Sequence, residues 1–262
     1  MSLWRRDIAC VGWEARRTGV ALRRGRALLV SRSIEADLDA PLAARLGALA
    51  ALLAEVGRDA RRAEFVVSDR HARYFLIERP ARLRGLAELE AVIAQAFEAL
   101  FGQSAAEWHI AWDLGVGAAH GVACALPAAL TRGLSEVARA AGMREVRIET
   151  FTLAALRAHA ATLPGSAWVA TRADDSVTLG RHVQGRWRSL RTLEDQAGGA
   201  LAAMVARERL RLTDEDAPDP LLAIGDWRAD EAGATILGAG PWPGQAPGFG
   251  ARFRVALAGT RP

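Results

Sequence analysis

Apolar residues recur along the chain at two spacings, and the alternation of those spacings sets out its elements. Leu42, Leu46, Leu49 and Leu53 repeat at the helical period and predict a helix over 41–56. Leu86, Leu89, Ile93, Phe97 and Leu100 do the same over 86–101, and Gly102 follows where a helix terminator belongs. Leu130, Leu134 and Val137 form the apolar line of a third helix, opened by Pro127 and closed by Gly142. Shorter helices are expected over 153–161 and 200–212. Between them lie short apolar strands at 64–67, 74–77, 146–148 and 221–224. The stretch 107–113 sets Trp108, Ile110 and Trp112 against His109, Ala111 and Asp113, a period of two, and 120–125 returns as its hairpin partner. An acidic, Pro-rich loop at 213–220, a Gly- and Pro-rich loop at 238–250 and a last strand at 253–257 complete the chain. Strands and helices mix, so the class is α/β with partly antiparallel sheets.

One pattern occurs twice. In the first copy an apolar strand at 8–11 meets a polar break at 12–18, a second strand at 20–22, a turn at Arg24-Gly25 and a returning strand at 27–31. In the second copy Trp168-Val169-Ala170 is followed by a break at 172–175, a strand through Val177, Leu179 and Arg181, the turn Gln184-Gly185 and a strand at 186–191. Gly12 to Gly25 and Ala173 to Gly185 are nearly equal intervals, as a duplicated architecture would give.

Composition narrows the function classes. The chain has 262 residues, half of them hydrophobic, enough for substantial cores and against disorder. All 34 basic residues are Arg, scattered among 30 acidic ones for a net charge of +4, so no basic stripe marks a nucleic-acid surface. Cys10 and Cys124 lie in apolar runs and read as buried thiols of a reducing compartment. Trp4-Arg5-Arg6-Asp7 interrupts any signal peptide, and the apolar stretch 46–56 is too short to span a bilayer. A soluble cytoplasmic protein is expected.

Other residue groupings have plain structural readings. His109, Asp113 and His120 could ligate zinc, but their spacing matches no metal motif, and no metal site is expected. Ser68, Asp69 and His71 carry the residue types of a catalytic triad, yet triads assemble in space, so the stretch reads as a polar loop between strands. Gly115, Gly117 and Gly121 fall between strands and make a hairpin loop. Gly198-Gly199 opens a helix but lacks the Lys-Ser/Thr of a phosphate loop. Trp13, Trp108, Trp112, Trp187, Trp227 and Trp242 read as core or interface anchors.

Several segments carry a family resemblance. Tyr74-Phe75-Leu76-Ile77-Glu78-Arg79-Pro80 before the helix at 86–101, Val122-Ala123-Cys124-Ala125-Leu126 before a helix ending Ala140-Ala141-Gly142, and Thr152-Leu153-Ala154-Ala155-Leu156 are three of them. With the repeated three-stranded unit, they resemble the duplicated actin-like (ribonuclease H-like) ATPase fold, and within it pilus-assembly proteins of the PilM type and the cytoplasmic part of secretion proteins of the GspL type. The resemblance implies an α/β protein of two lobes with mixed sheets flanked by helices. It places a first lobe at 1–149 with a small inserted subdomain near 62–113, and a second, shortened lobe at 150–262.

Active members of that fold begin each first hairpin with Asp-x-Gly, where the carboxylate holds hydrated Mg²⁺ and the glycine admits phosphate. The matching positions here are Cys10 and Gly12 in the first copy and Thr171 and Ala173 in the second; Gly225 stands where the adenosine side has a Gly-Gly pair. A thiol is a poor ligand for hard Mg²⁺ and alanine adds a Cβ, so the resemblance implies a degenerate nucleotide site, with no catalytic residues, no metal and ATP disfavoured. The expected function is a non-catalytic scaffold of a type IV pilus or type II secretion platform, peripheral at the inner membrane and not membrane-spanning. Its partner is an inner-membrane assembly protein or that protein's cytoplasmic tail, held in a groove between the helix at 86–101 and the strands around Tyr74 and Trp108. The alternatives are an ATP-binding actin-like ATPase or sugar-kinase-like enzyme, and a nuclease built on Asp7, Asp113 and Asp175.

Overall fold

The computed structural model describes residues 7–25, 27–80, 82, 85–114, 119–173, 176–194, 200–212, 219–225, 227 and 234–237. The loop at 238–250, the strand at 253–257, Gly115, Gly117, Asp174, Asp175, Gly198, Gly199 and Trp242 lie outside them.

The first copy of the repeat forms three antiparallel strands, β1 (Ile8–Trp13), β2 (Arg17–Arg24) and β3 (Ala27–Glu35). Helix α1 (Leu42–Val56) follows and returns the chain to β4 (Arg62–Val67), parallel to β1. After an excursion described below, α3 (Ala128–Ala140, with α2 in the excursion) leads to β8 (Glu145–Thr150), parallel to β4. The sheet order is β3-β2-β1-β4-β8. The second copy gives β9 (Ala167–Ala173), β10 (Ser176–Val183) and β11 (Arg186–Glu194), followed by α5 (Leu201–Leu212), β12 (Leu221–Gly225) and β13 (Ala234–Ile236). Its order is β11-β10-β9-β12-β13, strand for strand the same, with the same parallel and antiparallel senses. Even the register shifts agree: one falls between Leu22 and Arg23 and one between Arg181 and His182, each just ahead of its turn. The turn at Gln184 and Gly185 has positive φ at both residues (49° and 78°), the conformation a two-residue hairpin loop requires.

Two expectations are corrected. The breaks are shorter than the polar residues imply, because β1 and β2 include Gly12 and Thr18, and β9 runs on through Thr171, Arg172 and Ala173. Arg172 stays in the strand because its guanidinium stacks over Trp227, 4.0 Å from the ring centroid. The strand β13 was not anticipated; three residues show no readable period.

The excursion between β4 and α3 is a small sheet of β5 (Arg73–Glu78), β6 (Trp108–Asp113) and β7 (His120–Pro127), in the order β5-β7-β6, with α2 (Leu86–Phe101) between β5 and β6. The insert therefore starts and ends later than 62–113, since Arg62–Val67 pairs with β1 and β8. Helix α2 ends at Gly102, whose φ of 63° lets its N–H reach the Glu98 carbonyl at 2.9 Å. Over the middle of α2 the expected groove is filled by side chains. Leu89, Ile93 and Phe97 pack directly on Phe75, Ile77, Ala123 and Ala125, with Phe101 and Trp108 closing the aromatic cluster.

The alternation in β6 now has its cause. Trp108, Ile110 and Trp112 turn toward α2, while His109, Ala111 and Asp113 are exposed on the other face. In the first sheet, Trp13, Phe65, Leu49, Leu53 and Leu134 are fully buried between the strands and helices α1 and α3. Helix α4 (Phe151–His159) carries the chain from β8 to β9. No described helix is long and apolar enough to cross a membrane.

Candidate functional site: an interlobe seam and the groove beside it

The carboxyl ends of β4 and β9 meet across the start of α4. Val66, Phe151, Ala154 and Ala173 form an apolar contact there, all nearly inaccessible to solvent. Next to it lies a polar chain centred on Asp69, which sits in a 3-10 turn directly after β4 and is 1% exposed. The Tyr74 hydroxyl donates to one Asp69 oxygen at 2.5 Å, and the Thr152 hydroxyl donates to the other at 2.7 Å. The Thr152 backbone N–H donates to the same carboxyl at 3.1 Å. A hydrogen bond joins the hydroxyls of Thr171 and Thr152, and another joins those of Thr150 and Tyr74. A single chain, Thr150 to Tyr74 to Asp69 and Thr171 to Thr152 to Asp69, thus links all three sheets. Burial pushes the Asp69 carboxyl above its ordinary value, against the opposite pull of the bonds from Tyr74 and Thr152. Burial beside Asp69 raises Tyr74 well above the normal phenol range.

The expected site residues flank this seam. Thr171 is a member of the chain and Ala173 of the apolar contact. Gly12 pairs with Val66, so the end of β1 reaches the same place. Gly225 pairs with Arg172 at a φ of 112°, and a Cβ there would stand 2.2 Å from the Arg172 carbonyl oxygen. Cys10 lies further back, fully buried among Ala21, Ile8 and Leu28; desolvation pushes its thiol up to about 12. Asp69, Tyr74 and Thr152 are the residues sequence reasoning missed. The stretch 68–71, expected as a polar loop between strands, does connect β4 to β5, but as a 3-10 turn tucked under the seam with Ser68 and Asp69 buried.

A groove runs along the opposite face of the small sheet from α2. Its first part, a cavity of about 550 Å³, lies between β6, α3 and β8. Both strands are sheet edges, each pairing on one side only among the described residues. The floor is apolar, with Cys124, Leu126, Ile148 and Leu153; the rim carries Arg132, Ser135, Glu136 and Arg139. His109 is fixed by a hydrogen bond between its Nδ1 and the Thr131 hydroxyl. Glu149 is neutralised by Arg147 and Arg157. Thr150, one end of the Asp69 chain, lines this cavity. His120 approaches Glu78 at 4.0 Å, apart from His109.

No family model matches the sequence, and no curated protein matches it. Solved structures do. A structure of the PilM-PilN type IV pilus biogenesis complex superposes with a TM-score of 0.69 at 17% identity, covering 98% of this chain and all of that one. A Bacteroides thetaiotaomicron protein of unknown function, described as having an actin-like ATPase fold, gives 0.59 at 12% identity over 87% of this chain and 85% of its own. The chain has the actin-like ATPase fold. The cytoplasmic domain of EpsL, an inner-membrane component of the type II secretion system of Vibrio cholerae, gives 0.58 at 14% identity over 83% and 81%. At these identities the likeness establishes the actin-like architecture and leaves the chemistry to the residues. In this actin-like protein, Val66 and Ala173 share one apolar cluster and Thr152 is hydrogen-bonded to Thr171.

Proposed function

We propose that this chain is a non-catalytic actin-like scaffold that holds an extended cytoplasmic segment of an inner-membrane assembly partner. The carrying observation is the groove between the open edges of β6 and β8. Unpaired backbone groups on a sheet edge can accept an added strand, and the apolar floor between them can seat its alternate side chains. The similarity to PilM in a complex with PilN, and to a domain of an inner-membrane secretion component, supports a partner of this class.

The seam supports the absence of nucleotide turnover. Thr171 and Ala173 are engaged in protein contacts, and the Cys10 thiol is protonated and enclosed, so neither Cys10 nor Thr171, the two matched positions, offers an acid to a magnesium ion. Peptides that bind the groove should lose affinity by about tenfold or more on Ser135→Trp, which blocks its rim, measured by fluorescence anisotropy. Mg-ATP in large excess should leave the melting temperature unchanged, whereas a ligand at about 100 times its Kd would stabilise by about 2.7 kcal/mol. A Mg-ATP shift, or peptide binding indifferent to Ser135→Trp, contradicts the reading.

A further inference from the structure

The groove does not end at the small sheet. A second cavity of about 530 Å³ shares the lining residues Ala111, Cys124 and Leu153 with the first, so the two adjoin along one groove. Five consecutive residues of β6, His109 to Asp113, line it; at ~3.3 Å per residue that is a path of about 16 Å. The far half crosses to the second lobe, where it is closed by Arg186, Trp187 and Leu190 of β11 and by Leu156 of α4. Trp187 is half-buried and held in place: its ring lies 5.1 Å from that of His182, and a Cβ on Gly180 would stand 2.7 Å from it. Asp113, His120 and Arg186 stand at the rim of this otherwise apolar pocket.

We propose that the far half is an anchor pocket for one large apolar side chain of the same extended segment, so that the partner spans the small sheet and the second lobe together. This rests on the scaffold reading above and adds a second, separable contact. The pocket is unlike the first half in chemistry. The first has hydroxyls and paired charges around an edge that can take a strand; the second has Leu156, Trp187 and Leu190, which can enclose a side chain but offer no edge of β8. Because the two cavities adjoin at Ala111, Cys124 and Leu153, a chain lying along β6 in the first is directed toward the second. An occupant bound in this way holds β6 and β11 at a fixed separation.

The test uses the whole protein and peptides selected on it from a displayed library of random unstructured sequences, shortened afterwards from each end. Trp187→Ala should weaken the full peptides by about tenfold, Trp187→Phe should keep most of the affinity, and one truncation should bring binding down to the same level. The peptide so truncated should no longer distinguish wild type from Trp187→Ala, which separates a lost contact from a damaged fold. Full peptides that respond to Ser135→Trp but ignore Trp187→Ala and both truncations would overturn the anchor pocket and leave the scaffold reading intact. Failure to select any peptide sensitive to Ser135→Trp would remove both.

Discussion

Asp69 is the residue whose environment departs furthest from what its neighbours in sequence imply. It accepts from Tyr74 and from both donors of Thr152 in a place water does not reach. Asp69→Ala leaves those donors unpaired and should cost about 2–4 kcal/mol in chemical denaturation, at ~1–3 kcal/mol per buried orphan group. Its pKa in the folded state is raised, by burial. The neutral form therefore favours folding: the contribution is complete below the unfolded carboxyl value and is lost as pH rises through the folded one. Wild type should lose stability relative to Asp69→Asn as pH rises above the unfolded carboxyl value of ~3.9, read from denaturation midpoints. An unchanged difference would mean that the donors hold Asp69 ionised throughout. Gly225 makes a second test at this scale. Its positive φ and the 2.2 Å approach of the Arg172 carbonyl give it a structural reason to be glycine, independent of any nucleotide. Gly225→Ala should destabilise by about 1–3 kcal/mol even without ligand, measured by thermal melting.

At the scale of elements, periodicity served where a single face is buried. α2 and its Gly102 stop, α1 and the alternation of β6 are legible because each side chain's partner lies on a predictable face. The ends of β1 and β9 were not, since Gly12, Thr171 and Arg172 look like a break until the pairing with Val66, Thr152 and Trp227 is known. Asp69 escaped for the same reason: its partners are 5 and 83 residues away, and only the fold brings them together. Cys10, Gly12, Thr171, Ala173 and Gly225 were singled out by resemblance rather than by any local signal. Helix α3 forms a wall of the groove while packing on α1 through Leu134, which is fully buried. Leu134→Ala should cost about 2–5 kcal/mol, and if α3 positions the rim, peptide affinity should fall with it at temperatures where the variant remains folded. Retained affinity in a destabilised variant would place the binding determinants on β6 and β8 alone.

Across the whole molecule, two copies of one sheet are joined by a seam that includes Thr171 and Ala173, two of the positions matched by resemblance to the nucleotide site of an actin-like enzyme. That is why restoring acids should not restore a nucleotide site. Thr171→Asp would set a second carboxyl against Asp69 through Thr152, and two acids sharing a buried site repel. Cys10→Asp would bury a charge where Glu64 already stands on the neighbouring strand, and the nearby arginines, Arg23 and Arg62, are already paired with Glu64. Ala173→Gly removes one methyl from the contact with Val66 and Phe151 but opens no path to it. The triple variant Cys10→Asp, Thr171→Asp, Ala173→Gly should therefore be several kcal/mol less stable and still show no melting shift with Mg-ATP. A shift in that variant would mean that the seam opens in solution and that the lobes retain the motion of an ATPase. No shift, together with peptide binding that survives in the single variant Ala173→Gly, would separate the groove from the nucleotide corner as independent parts of the same fold.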